Sequence, residues 1–426
     1  MSRYAESEKW LERAERTIPI GSQTFSKSRV VYPVGVSPLY ISKAKGSHFW
    51  DLDNNKYIDL VNSLAAVTLG HCDSGMNKAI EKQLRMGVLF SLPGRLEAEV
   101  SEMLTKIVPS AEMVRFGKNG SDATSAAIRL ARAYTGRDHI AICGYHGWQD
   151  WYIGATARNK GVPKSVSTLS HTFEYNNLES LQECFHKYDL AAVILEPMNR
   201  EFPNQNFLEK IREITFKHGT VLIFDETITG FRMSISGAQG YFDVIPDLST
   251  FGKGMANGMP ISAVVGKTEL MSEMEKIFFS GTFGGELLSL AAAKYTIEKM
   301  TENDLPALLA EKGKFLANEI QHLIKDLNLD QILNLSGHDS WKFLNWNNFA
   351  NYSSDQIKTY FLQEMFAEGI LVQGTHNISL SHSKKVLKEV AQSYEKVLEK
   401  IHGALIKEDL EERIKAEVPL PIFKVR

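Results

Sequence analysis

The apolar positions of this chain fall into two patterns. Short runs without polar alternation occur at Ile140 to Cys143, Ala191 to Leu195 and Val221 to Phe224, and a fourth strand-like run is Leu248 to Phe251. Runs of this length without alternation predict strands covered on both faces. Between them lie stretches with helical spacing. One follows Asp122 through Ala126, Ala127, Leu130 and Ala131 to a stop at Gly136, and another covers roughly Phe207 to His218. Strand and helix alternate from about 113 to 266, which predicts a mostly parallel sheet with right-handed crossovers, an α/β fold.

The flanks read differently. Residues 5–17 predict an amphipathic helix with Trp10, Leu11 and Ala14 on one face, ended by Ile18-Pro19. Residues 38–60 predict a hairpin series with its turn at Asp53-Asn54-Asn55. From about 300 onward, helices over 305–327, 354–368 and 384–402 flank short strands at 340–345 and 370–372, a smaller α+β domain. The tail 419–426, with two prolines, reads as an extended surface segment. The expected organisation is an N-terminal segment over 1–48 that belongs to the small domain and lines the active site, a large domain over 49–290 and a small C-terminal domain over 291–426.

Composition narrows the class. At 426 residues the chain exceeds one ordinary core, so more than one domain is expected. A net charge of −3 gives no support for a nucleic-acid partner. There is no apolar run near the ~18 residues of a membrane helix. The charged start MSRYAESEKW lacks the apolar core of a secretory signal. Cys72, Cys143 and Cys184 are scattered without metal-type spacing, so no metal is expected, and a sparse, odd set fits a reducing cytoplasm.

The candidate chemistry lies at two strand ends. The run 221–224 delivers Asp225, and the run 248–251 delivers Lys253 through Gly252. The C-terminal edge of an α/β sheet is where ligands bind. A lysine amine for a Schiff base and a carboxylate for a ring nitrogen suit one cofactor, pyridoxal phosphate.

The segments DETITGFR and FGKGMANGMPISAVVG carry a resemblance to the class-III aminotransferases of pyridoxal-phosphate fold type I, and within them to the branch holding glutamate-1-semialdehyde 2,1-aminomutase. The resemblance implies a seven-stranded, mostly parallel large-domain sheet and a homodimer. It makes Lys253 the Schiff-base lysine and proton carrier and Asp225 the ring-nitrogen partner. It assigns the phosphate to Gly120 and Ser121, although an ordinary N-cap at Ser121 or Asp122 explains the same residues. Tyr145 of the YHG motif is placed over the cofactor ring, Glu196 near it, and Ile228 against it. His146 has no evident task, and His71 reads as structural. Thr282 is expected to reach the partner subunit's cofactor phosphate.

For substrate, the aligned residue is Lys27, with Arg29 two further on as a second candidate and Trp148 at the entrance or simply packed. His376 is a further candidate that loop polarity explains equally well. Three departures matter. Lys27 stands where the aminomutase has an arginine, and lysine is a point charge rather than a bidentate fork. The segment 154–177 is shorter than the aminomutase's gate. Glu286-Leu287 replaces the usual Asn-Pro. The expectation is therefore an aminotransferase acting between an amino donor and a carbonyl acceptor. The GSQTFSKS opening points, through the resemblance, to surface-polysaccharide or amino-sugar biosynthesis. The aminomutase is the alternative, favoured by Ile228. A non-catalytic protein of this fold is the remote one, disfavoured because both Lys253 and Asp225 are present.

Overall fold

The hairpin series over residues 38–60 forms as three antiparallel strands, β1 (Ile41–Lys45), β2 (His48–Asp51) and β3 (Lys56–Asp59). Its turn holds Asn54 at φ 63°, a left-handed conformation that asparagine tolerates better than most residues. Asp51 closes the turn by accepting from the Asn55 backbone N–H at 2.7 Å.

The structure is a computed structural model describing residues 3–418. Its chain forms two compact units, a larger one of Ala65–Val67 and Ser74–Ala307, and a smaller one of the remaining described residues. The tail 419–426 lies outside the described residues.

In the larger unit the unalternated runs become the centre of a seven-stranded sheet. Its strands are β4 (Met113–Gly117), β5 (His139–Cys143), β6 (Ser170–Thr172), β7 (Leu190–Leu195), β8 (Val221–Asp225), β9 (Leu248–Phe251) and β10 (Ser262–Gly266), in the spatial order β4-β10-β9-β8-β7-β5-β6. Only β10 runs antiparallel to its neighbours. Every residue of β7 and β8 is buried, because both faces are covered. On one face the helix Gly120–Thr135 packs Ala123, Ala127 and Leu130 against Ile140, Ile194 and Ile223. On the other, Phe207, Leu208 and Ile211 of the helix Phe207–Lys217 meet Val193, Leu222 and Phe224. Each fully buried Leu, Ile or Phe contributes about 1.5–3 kcal/mol.

The smaller unit adds β11 (Leu333–Ser336), β12 (Trp341–Trp346), β13 (Ile370–Leu371) and β14 (Thr375–Asn377), with the helices Ser354–Ala367 and Lys384–Ile406 and the helix Leu305–Asp326 from Leu308 onward. Strands β11, β12 and β14 form one antiparallel sheet. Strand β13 pairs in parallel with β3, Ile370 opposite Ile58. The boundary expected at residue 49 is therefore not where the chain divides. Residues up to Leu64 group with the C-terminal part, because β3 finds its neighbour in β13.

Asn62, Ser63, Leu64 and Ala65 hold φ of 45°, 51°, 61° and 68°, four consecutive left-handed residues without a glycine. Each such residue costs roughly 1–2 kcal/mol. Asp59 offsets part of that by accepting from the Val61 and Asn62 N–H groups, both at 2.8 Å.

Candidate active site

Four parallel strands of the larger unit end on the same edge, and each releases a functional side chain there. Strand β5 ends at Cys143 and leads into Gly144-Tyr145-His146-Gly147, β7 into Glu196, β8 into Asp225 itself, and β9 through Gly252 into Lys253. A parallel sheet makes this edge common to all four.

Asp225 is 4% exposed. Its Oδ1 accepts from Thr227 N at 3.1 Å, Thr227 Oγ1 at 2.6 Å and Thr250 Oγ1 at 3.0 Å, and its Oδ2 faces His146 Nδ1 at 2.8 Å. Burial pushes its pKa up, but the bonds from His146 and Thr227 outweigh burial and hold the carboxyl below its ordinary value. His146 is fully enclosed, with Nε2 3.1 Å from the Cys143 carbonyl. Its two ring nitrogens thus face two acceptors, the Asp225 carboxylate and the Cys143 carbonyl. The sequence left His146 without a task; the fold makes it the partner of Asp225. The available signal was position. Adjacent residues after a strand face opposite ways, and Tyr145 is 54% exposed while His146 is 1%.

Glu196 is buried, accepting from Tyr145 N at 3.0 Å and Asn199 Nδ2 at 2.7 Å. Burial, and then the charge of Asp225, raise its pKa. Lys253 has its pKa lowered by burial, against the pull of Glu196 and Asp225. Its backbone is also strained, with φ 39° in a non-glycine residue. A lysine whose neutral amine is favoured is suited to covalent and base chemistry. Glu226, next to Asp225, does other work. It accepts from Thr229 Oγ1 at 2.6 Å, Ala238 N at 2.6 Å and Gln239 N at 2.9 Å, anchoring the segment after β8.

Gly120 and Ser121 open the helix Gly120–Thr135, whose first N–H groups lack helical acceptors. Asp122 closes the preceding turn by accepting from Lys118 N at 3.0 Å and Asn119 N at 2.8 Å. The surroundings leave room for backbone only. A side chain at Gly147 would come within 2.3 Å of Ser121 Oγ, and one at Gly144 within 2.6 Å of Glu196 Oε2. The ionised carboxylate, the desolvated lysine and a helix start whose first N–H groups lack helical acceptors together fit pyridoxal phosphate.

The other expected residues are placed variously. Ile228 is half-buried three residues past Asp225. Trp148 is 65% exposed, its N–H 3.4 Å from Ser121 Oγ. Thr282 is exposed, beside an exposed Phe283. In the smaller unit, Lys27 Nζ donates to Ser63 Oγ at 2.9 Å, and Arg29 is paired with Glu15. Both line a cavity of about 450 Å³ within that unit, with Tyr32, Tyr40 and Phe49 among its apolar walls. His71 is bonded to Asp59 at 2.9 Å, which agrees with a structural role. The segment 154–177, expected as a short gate, contributes the edge strand β6 and the helix Lys164–Ser167. His376 is 1% exposed on β14, with Nε2 2.6 Å from the buried Tyr394 hydroxyl, so it packs in the smaller unit's interior.

Comparisons with known proteins bear on this arrangement. A family model described as aminotransferase class-III matches residues 31–405. The chain is 34% identical over 428 residues to a Natranaerobius thermophilus protein named glutamate-1-semialdehyde 2,1-aminomutase, covering 93% of this chain and 99% of the relative. Among solved structures, an omega-transaminase from Sphaerobacter thermophilus superposes with a TM-score of 0.84 at 26% identity, covering 93% of this chain and 98% of that one. A Sphingopyxis protein solved in its PLP form superposes with a TM-score of 0.88 at 26% identity, covering 97% and 99%.

Proposed function

The chain belongs to the class-III aminotransferase family, a pyridoxal-phosphate family, and from that premise we propose that it moves an amino group between carbon atoms of small molecules, with Lys253 as proton carrier. The observation that carries this reading is the lysine with a lowered pKa on the same sheet edge as a buried carboxylate held ionised. When bound, the cofactor supplies an aldehyde carbon for the amine and a protonated ring that takes up the electrons of the breaking C–H bond. Asp225, kept charged and oriented by His146, would favour a proton on the ring nitrogen. Lys253 would hold the cofactor through its side-chain amine, and that amine, when free, would carry a proton between the substrate carbon bearing the amino group and the cofactor's aldehyde carbon. Gly120 and Ser121 would hold the phosphate through backbone N–H groups. Tyr145 and Ile228 would cover the ring, and Glu196 would stand beside it. Thr282 would act from the second copy in a homodimer. Three free thiols among the described residues suit a cytoplasmic setting.

Two finer readings differ in where the amino group goes. Sequence relatives named as aminomutases, similar over nearly their full length, support transfer within one substrate, and we place that reading first, reversing the order expected from sequence. Transfer between two molecules, including amino-sugar or surface-polysaccharide precursors, is favoured by one observation: Lys27 offers a single ammonium, already bonded to Ser63, and Arg29 is tied to Glu15. Mixing the purified cofactor-loaded protein with glutamate-1-semialdehyde and no other amine separates them. Isomerisation without release of a keto acid supports the internal reading. Turnover only with an external amino donor, releasing its keto acid, supports the second. Reaction under neither condition, over a wide donor screen, would remove the amino-transfer reading itself.

A further inference from the structure

The position where Glu286 replaces the expected asparagine is occupied by a built junction. Glu286 is the N-cap of the helix Leu287–Glu302 and its carboxylate is saturated. Oε1 accepts from Leu288 N at 2.6 Å, and Oε2 from Ser289 N at 3.1 Å, Ser289 Oγ at 2.6 Å and Lys118 Nζ at 3.0 Å. The side chains of Lys118 and Glu286 are only 19% and 13% exposed, so this is not a surface pair screened by solvent. Burial opposes the charge of Glu286, yet the Ser289 and Lys118 bonds keep its pKa below the ordinary value.

Lys118 stands immediately before the turn that opens the helix Gly120–Thr135. Two other basic side chains of this same strand and helix hold the far end of the loop. Arg115 Nη2 donates to the Phe279 carbonyl at 3.2 Å, and Arg129 Nη1 to the Phe278 carbonyl at 2.8 Å. The loop is thus fastened at 278–279 and again at 286, and between them Gly281, Thr282 and Phe283 are exposed. It also lies close against β4, since a side chain at Gly284 would stand 3.4 Å from the Phe116 carbonyl.

We propose that the Lys118–Glu286 ion pair is a clasp that positions the two phosphate-holding elements, the Asn119–Ser121 turn and the Thr282 loop. It rests on the reading of this edge as a pyridoxal-phosphate site. The pair touches no reacting atom. It acts by fixing the turn's N–H groups and the loop against one another. Glutamate serves both jobs at once, capping a helix and holding an ammonium.

The test compares two probes, pyridoxal phosphate and pyridoxal, which differ only in the phosphate. Binding to the apoprotein is measured for wild type, Glu286→Gln, Lys118→Met and the double variant. Glutamine keeps an acceptor for the helix cap, and methionine keeps the lysine's apolar stem. Each single variant should bind pyridoxal phosphate about tenfold more weakly, with pyridoxal changed by less than about twofold. The double variant should be no worse than either single, because one interaction is lost in all three. Equal losses for both probes would mean general disruption and overturn the clasp. Multiplying losses, unchanged binding, or tighter binding in Glu286→Gln would overturn it too. Failure of the wild type to bind pyridoxal phosphate would instead defeat the functional reading on which it rests.

Discussion

His146 Nδ1 lies 2.8 Å from Asp225 Oδ2, with both side chains shut off from solvent. The contact joins the third residue after β5 to the last residue of β8, 79 positions later in the chain. Its chemical effect is on charge. A buried carboxyl would otherwise drift towards its neutral form, and a neutral Asp225 could not hold a proton on a cofactor ring.

His146→Ala should therefore behave as a weakened Asp225→Ala. Hydrogen bonds to charged groups are worth about 1.5–3 kcal/mol, so kcat should fall roughly 10- to 100-fold. The acid limb of the pH–rate profile should move to higher pH, since Asp225 then neutralises more readily. A slower enzyme with an unmoved profile would mean that His146 merely packs.

Lys253→Ala should lose turnover and the spectrum of the covalently linked cofactor while keeping its circular dichroism. Cofactor binding should persist through Asp225 and the Gly120–Ser121 turn. Residual turnover at the wild-type rate would exclude Lys253 as the proton carrier.

Thr282 can be placed by mixing subunits. Thr282→Ala alone should weaken cofactor binding by about tenfold, the worth of one charge-assisted hydrogen bond. Hybrids of Lys253→Ala and Thr282→Ala subunits contain one site with both groups intact if Thr282 crosses between copies. Recovery of tight binding and turnover in the hybrid is the expected result. No recovery would confine Thr282 to its own chain.

The smaller unit should be acid-sensitive. Burial holds His376 neutral, with its pKa lowered from 6.5 to about 3, and His382 likewise, at about 4. Between those values and 6.5 the unfolded chain binds protons that the folded chain refuses. Stability is therefore full above pH 6.5 and falls as the pH drops towards 3, by up to about 1.4 kcal/mol per pH unit for each histidine. Urea midpoints for wild type and His376→Gln at several pH values check this. The variant should lose stability less steeply on acidification; an identical slope would count against the buried neutral histidine.

Much of the larger unit was legible because its signals are local. An unalternated run such as Ala191 to Leu195 can be satisfied only with both faces covered, and β7 is buried throughout. Strand ends that deliver an ionisable residue, directly at Asp225 and through Gly252 at Lys253, marked the candidate chemistry. Polar residues were harder. His376 and His146 look alike in sequence, each beside a plausible motif. One is bonded to Tyr394 in the interior of its unit and the other to Asp225 at the site. The left-handed turn at 62–65 was invisible, because no glycine advertises it.

The sequence by itself determined the α/β class, the order of strands and helices, and the lysine and carboxylate delivered at two strand ends. These follow from hydrophobic period and chain direction, which neighbours in sequence encode. Only the tertiary structure decided the partnerships: His146 with Asp225, Lys118 with Glu286, and β3 with β13. Each joins residues far apart in the chain, and a polar side chain's role depends on which distant group satisfies its hydrogen bonds once burial has removed water.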